Sequence, residues 1–201
     1  MTVINWTSSR MVRPVDDFAG APLVRGVMTL DPGHGAIENA TLHASGLSVF
    51  EAWVNGQQVS DEVLAPGWSS YEWRLRYRTY DVTDLVAGAG AEVVVGFALG
   101  NGWACGKLGG QQSRGFWAER PTIIAALEVT YADGHVQRFG TDDRTWQAGP
   151  SQVTANDLYD GQSVDARIDT AGWSSDPAPR EGWGPTEFVP FDHARLVATN
   201  A

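Results

Sequence analysis

Apolar and polar residues alternate with period two along much of the chain, and no run of about 12 residues carries helical spacing, so strands are predicted almost throughout. The stretch from Leu47 to Val54 ends in Asn55-Gly56, a pair that adopts a type I′ turn at little cost, and Gln57 to Ser60 is predicted to pair back. From Glu72 to Tyr80 the alternation is nearly strict. Glu72, Arg74, Arg76 and Arg78 fall on one face, and Trp73, Leu75, Tyr77 and Thr79 on the other. This pattern predicts core positions for Trp73 and, on the preceding strand, for Trp53.

Ile123 to Tyr131 is a second long strand that meets Asp133-Gly134 and returns as His135 to Phe139. Further strands are predicted at Leu23 to Leu30, Ala40 to Ala44, Glu92 to Leu99, Ser163 to Ile168 and Ala194 to Ala198, about nine or ten in all. A single helical turn capped by Asp81 or Thr83 connects two of them. The pattern implies an all-β, antiparallel sandwich of two sheets with little helix. One domain over 1–201 is expected, with 1–20 an extension or first strand and 181–201 a closing strand or linker. Two long loops, Gly100 to Ala118 and Gly172 to Gly184, are where binding is expected on such a scaffold.

Composition sharpens this reading. Nine Trp, 23 Gly and 10 Pro among 201 residues describe many turns, with flat side chains left to cover a core or a ligand. Acidic residues outnumber basic ones 24 to 14, so no broad basic surface exists for a phosphate backbone, and nucleic acid is excluded as a partner. The 43% hydrophobic content argues against disorder, and the lack of a long apolar run argues against a membrane span. One cysteine, Cys105, forbids an intrachain disulfide and suits a reducing, cytoplasmic setting; the N-terminus reads as carrying no export signal.

No nucleophile elbow, phosphate loop, zinc motif or dinucleotide fingerprint occurs. The histidines His34, His43, His135 and His193 lie far apart in sequence, and His135 reads as a plain strand residue. Cys105 reads as a bystander thiol. The acids are more informative. Asn156, Asp157, Tyr159, Asp160 and Asp165 fall close together, and two Asp and an Asn in a tight loop either hold a hard cation such as calcium, bind sugar hydroxyls, or cap their own backbone. Trp68, Trp103, Trp117, Trp173 and Trp183 adjoin small residues in loops and serve as ligand platforms or as lids over the core. Trp6 and Trp146 are left unassigned.

The succession of motifs is specific even though no one of them is rare. Phe50 to Val59, Leu64 to Tyr71, Arg76 to Leu85, Leu99-Gly100-Asn101-Gly102-Trp103, Leu127 to Gly134, Thr141-Asp142 with Trp146, and Asp157 to Gln162 with Asp165-Ala166-Arg167 follow one another in order. Together they resemble the N-terminal β-sandwich domain of bacterial α-L-rhamnosidases. The resemblance implies a jelly-roll module ahead of a separate (α/α)6 catalytic barrel that hydrolyses terminal α-L-rhamnose with inversion. The family's catalytic carboxylates belong to that barrel, so this chain alone is expected to be inactive. Some related modules bind L-rhamnose with the help of calcium. Two departures weaken such a site here: Ala104 to Lys107 replace an aromatic and a basic residue, and Gln162 replaces an acid.

Two functions are therefore expected to compete. In the first, Asn101, Trp103, Tyr159, Asp160 and Asp165 recognise a rhamnose-containing carbohydrate, with Asp157 and Asp160 able to hold calcium, although no cofactor is required. In the second, the module is structural and docks on the catalytic domain of the same enzyme through an apolar face bearing some of Trp68, Trp117, Trp173 and Trp183.

Overall fold

Among the described residues, 4–109 and 113–199, the computed structural model holds sixteen strands, two short α-helices and one 3-10 turn, His193–Arg195. In chain order, β1 (Val12–Pro14), β2 (Leu23–Thr29), β3 (Ile37–Ser45), β4 (Val49–Val54), β5 (Gln57–Gln58) and β6 (Leu75–Asp81) precede α1 (Thr83–Ala87). β7 (Glu92–Gly100) runs into α2 (Gly102–Cys105) and a small hairpin, β8 (Lys107–Leu108) with β9 (Ser113–Arg114). There follow β10 (Ile124–Tyr131), β11 (Val136–Gly140), β12 (Gln147–Gly149), a hairpin of β13 (Val153–Asp157) and β14 (Gly161–Val164), then β15 (Gly184–Phe188) and β16 (Leu196–Ala198). Residues 110–112 of the Gly100 to Ala118 loop, 1–3 of the N-terminal extension and 200–201 of the closing segment lie outside the described residues.

Seven strands form one sheet in the order β1-β15-β12-β2-β7-β4-β5, and five form the other in the order β11-β10-β3-β6-β16. The expected all-β sandwich is what these sheets build. One pairing departs from the antiparallel expectation: β16 runs parallel to β6, with Leu196 opposite Leu75.

Side chains alternate as the period-two pattern requires. Ala40, Leu42 and Ala44 of β3 and Ala125, Leu127 and Val129 of β10 face Phe50, Ala52 and Val54 of β4 and Val93, Val95, Phe97 and Leu99 of β7. Trp146 fills the middle of this core. Its indole stacks on Phe97 and Phe139 at centroid distances of 6.1 and 5.6 Å, and its Nε1–H donates to the Gly140 carbonyl at 2.9 Å. Gly26 of β2 makes room for it, since a Cβ there would stand 2.4 Å from the ring. Full burial of so large a side chain contributes at most about 5 kcal/mol of hydrophobic stabilisation.

A second buried cluster lies outside the five-stranded sheet, where Trp6, Met11, Tyr71, Leu75, Ile124 and Cys105 pack together. The two sequence turns form as expected: Asn55 and Gly56 have φ of 50° and 82°, which is the left-handed pair a type I′ turn needs. Asp81 accepts the Thr83 amide at 3.0 Å at the start of α1.

Several expectations are corrected. The strand around Arg76 begins at Leu75 and not at Glu72, because the Trp73 and Arg74 amides both turn back to the Ser70 carbonyl, at 2.8 and 2.9 Å. Trp73, expected in the core, is 80% exposed. Trp53 lies on the outer face of the seven-stranded sheet, since Ala52 and Val54 take the inward positions, and it is half-covered by Trp173 at a centroid distance of 5.2 Å. The strand expected at Ser163 to Ile168 is instead Gly161–Val164, and its partner β13 had no pattern to reveal it. β1, β12 and β15 are likewise short pieces added at one side of the large sheet.

Candidate carbohydrate-binding groove

The Gly-rich loop after β7 and the Asp-rich β13–β14 hairpin meet at one end of the sandwich, whereas the Gly172 to Gly184 loop, the other one expected to carry binding, lies over Gly96 and Gly149 of the large sheet. β7 ends at Gly100, and Gly102, at φ 51°, turns the chain where a Cβ would press to 2.6 Å from Val49. Asn101, between them, donates its backbone N–H to Asn156 Oδ1 at 2.7 Å and its side-chain amide to the Asn156 carbonyl at 2.8 Å. These two bonds, both donated by Asn101, tie the start of α2 to the β13–β14 hairpin across 55 residues of sequence.

Asp157 follows at the hairpin tip. One of its carboxylate oxygens accepts the Tyr159 amide at 2.9 Å and so shapes the turn, while the other accepts the Lys107 amide at 2.9 Å and an Arg114 guanidinium N–H at 2.8 Å. Burial by itself would raise the pKa of this carboxyl. The Lys107 and Tyr159 amides and the Arg114 charge outweigh it and hold the group below the usual carboxylate range. Asp160 reaches Lys107 Nζ at 2.5 Å and lies 3.8 Å from Arg114.

The carboxylates expected to be able to hold calcium thus face two cations of the protein itself. Asp157, with a side chain only 2% exposed, is fully engaged by the hairpin and its neighbours. Among the described residues, no group of three or more His, Cys, Asp or Glu is placed to hold a metal ion. Tyr159 stands at the tip with its ring exposed. Asp165 is not brought to the others: it sits beyond the far end of β14, about 13 Å along the chain from Gly161 at 3.3 Å per residue, and pairs with exposed Arg167 at 2.7 Å.

Beside the hairpin tip opens a groove of about 430 Å³. Val49, Leu64, Leu99 and Leu158 give it an apolar floor, and Glu51 and Gln162 rim it. Val63 and Leu64, which also line it, are exposed large apolar residues, and nothing in their short, unpatterned sequence marked them as site residues. The signal that did point here was the pair of Gly-rich and Asp-rich loops.

The tryptophans divide into two groups. Trp173 and Trp183 are lids. Trp173 covers Gly96 and Trp183 covers Gly149, each so closely that a Cβ on the glycine would meet the indole at 2.5 and 2.3 Å. Beneath the same loop, Arg25 is buried and donates to the Asp176 carbonyl at 2.5 Å. Trp68, Trp103 and Trp117 instead form an edge-to-face cluster with centroid spacings of 5.9 and 5.8 Å around Trp68, and Trp117 Nε1–H donates to Glu72 at 2.5 Å. Trp68, Phe116 and Trp73, at 46%, 54% and 80%, are exposed.

Sequence reasoning missed one association. His34 and His135 are 101 residues apart, yet their rings stack at 3.8 Å and 13°. His34 bonds Asp133 and His135 bonds Asp31, each at 2.7 Å. His135 is therefore not a plain strand residue: it precedes β11 and fastens the Asp31 loop to the Asp133-Gly134 turn. Cys105 is buried, and burial pushes its thiol up to about 12, as befits a bystander. No helix among the described residues is long and apolar enough to cross a membrane.

Comparison with known proteins gives this geometry a family. An α-L-rhamnosidase of Streptomyces avermitilis is 39% identical over 152 residues, which is 75% of this chain and 14% of that protein. One from Formosa agariphila is 34% identical over 159 residues, 77% of this chain and 16% of its own length. The crystal structure of native α-L-rhamnosidase from Aspergillus terreus superposes with a TM-score of 0.87 at 30% identity, over 96% of this chain and 22% of that one. This chain therefore spans less than a quarter of the length of each of these relatives. The family model for the α-L-rhamnosidase N-terminal domain matches residues 35–201, and the chain belongs to that family.

Proposed function

We propose that this domain is a non-catalytic accessory module of an α-L-rhamnosidase that assists recognition of terminal α-L-rhamnosyl groups. The observation that carries this reading is the groove of about 430 Å³ at the loop end, apolar on its floor and polar on its rim. A terminal α-L-rhamnosyl group is a 6-deoxy sugar with a methyl group, apolar C–H surface and three free hydroxyls. Such a ligand matches a site whose floor is Val49, Leu64, Leu99 and Leu158 and whose rim carries Glu51 and Gln162. The Streptomyces avermitilis relative, 32% identical in its solved structure, was crystallised in complex with L-rhamnose, which adds support. In this reading Lys107 and Arg114 already neutralise Asp157 and Asp160, so binding needs no calcium. No hydrolytic step is assigned to this chain.

The test is a heteronuclear NMR titration with L-rhamnose, with and without calcium. Saturable shifts at residues 156–162 and Leu64, equal in both conditions, are expected. Flat spectra at millimolar sugar overturn the recognition role, and shifts that require calcium overturn the cation-free site.

A second role has its own observation, the exposed aromatic surface of Trp68, Trp73 and Phe116. A patch of this kind suits a face buried against another domain of the same enzyme. Acrylamide quenching of tryptophan fluorescence is expected to fall when the chain is joined to a catalytic barrel. Unchanged quenching removes the docking role.

A further inference from the structure

A second hollow lies on the outer face of the five-stranded sheet. On β3, Ala40, Leu42 and Ala44 point into the core, so Thr41 and His43 point outward. Across the sheet one row reads Arg138, Glu128, Thr41, and the next reads Gly140, Ala126, His43, Thr79. Ala126 adds only a methyl group to the second row, and a depression of about 400 Å³, within the range of small-ligand sites, opens over it beside His43; Gly140, at the end of that row, is covered by Ser8 and Ser9. Tyr77 forms one wall, and Trp6 braces both His43 and Tyr77 edge-on at 6.3 and 5.6 Å.

The polar groups around this depression are of one kind. Glu128 and Arg138 bond each other at 2.8 Å through Nε, and their charges cancel. Among the described residues Arg138 makes no other bond, so the terminal amino groups of its guanidinium still have donors to offer. His43 takes Thr79 Oγ1 at 2.9 Å with Nδ1, which turns Nε2 outward as the remaining partner. Burial lowers the pKa of His43, so the imidazole is neutral near pH 7 and able to accept or donate one bond. Hydroxyls, a neutral imidazole, an internally neutralised acid–base pair and an aromatic wall together suit a ligand with many hydroxyls and no charge.

We propose that this hollow is a second binding site, independent of the loop-end groove, for a single neutral sugar residue. Thr41, His43, Glu128 and Arg138 bond its hydroxyls and Tyr77 packs on its C–H face. An anionic sugar is disfavoured, because the one cation present is already matched by Glu128.

NMR titration of this chain with L-rhamnose, D-galactose and D-glucose, and with D-glucuronate as the anionic control, tests the proposal residue by residue. Saturable shifts at the amides of Thr41, His43 and Glu128 are expected with at least one neutral sugar. Arg138→Ala and Thr41→Val, both on the solvent face of the sheet, are each expected to weaken that response about tenfold while leaving residues 156–162 unaffected. The proposal is overturned if all three neutral sugars leave the sheet amides unmoved, if both variants respond as the parent does, or if only glucuronate acts. Shifts confined to residues 156–162 likewise overturn it and leave the loop-end groove standing, whereas shifts confined to the sheet support it and remove the groove.

Discussion

Asn101 donates two hydrogen bonds to Asn156, from its backbone N–H to the side-chain oxygen at 2.7 Å and from its side-chain amide to the backbone carbonyl at 2.8 Å, and the pair holds the two loops of the groove in one position. Replacing Asn156 by Ala strands the Asn101 amide. Asn156→Ala is expected to cost about 1–3 kcal/mol in denaturant unfolding and to raise hydrogen exchange across residues 153–164. An unfolding midpoint equal to that of the parent means that the pair does not hold the hairpin.

Asp157 makes the hairpin tip sensitive to acid. Its carboxyl is held below the usual range by the Lys107 and Tyr159 amides and by Arg114, against the opposing effect of burial. A group whose pKa falls on folding stabilises the fold above its unfolded value, about 3.9, and that contribution disappears as pH drops through the lower folded value. Asp157→Asn is expected to cost about 1–3 kcal/mol near pH 7, and the difference from the parent should shrink below about pH 4. Melting curves of both proteins over that interval provide the measurement, and a difference independent of pH contradicts the assignment.

Gly26 leaves the space that Trp146 fills. Gly26→Ala puts a methyl group 2.4 Å from an indole already fixed between Phe97 and Phe139, so the core must shift. A loss of about 1–3 kcal/mol is expected, with a changed near-ultraviolet circular dichroism signal from the displaced indole. Parent-like stability and spectrum refute this account of the core.

Cys105 is buried, with its Sγ directed to the Leu47 carbonyl at 3.2 Å, and its thiol is pushed up to about 12. A disulfide reagent at pH 8 is expected to leave the native protein unmodified for hours and to titrate one thiol once the chain is unfolded. Rapid reaction of the folded protein contradicts this placement.

The period-two pattern exposed the long strands because it records burial on one face. Leu42, Phe50, Phe97 and Leu127 all face the core as their spacing demands. The Asn55-Gly56 and Asp133-Gly134 turns were legible for a local reason, the left-handed backbone that few residues adopt at low cost. Trp53 and Trp73 misled for the opposite reason. An alternating pattern specifies two faces, and an aromatic residue on the outer face or in the preceding turn looks the same as one in the core.

Within the groove, the Gly-rich and Asp-rich loops drew attention because of their composition, and the structure sets them side by side. Which groups they offer a ligand could not be read from composition. Asp157 is consumed by Lys107 and Arg114, and Asp165 is carried away from the tip by the hairpin register.

By itself the sequence determined the class of fold, the main turns and the order of motifs that marks the family, because each rests on contacts within a few residues or on which face of a strand meets water. Only the tertiary structure decided which side chains share a site. The stacking of His34 on His135, the Asn101–Asn156 hydrogen bonds and the hollow beside Ala126 join residues dozens to a hundred positions apart, and that proximity comes from sheet order and register, to which local spacing carries no clue.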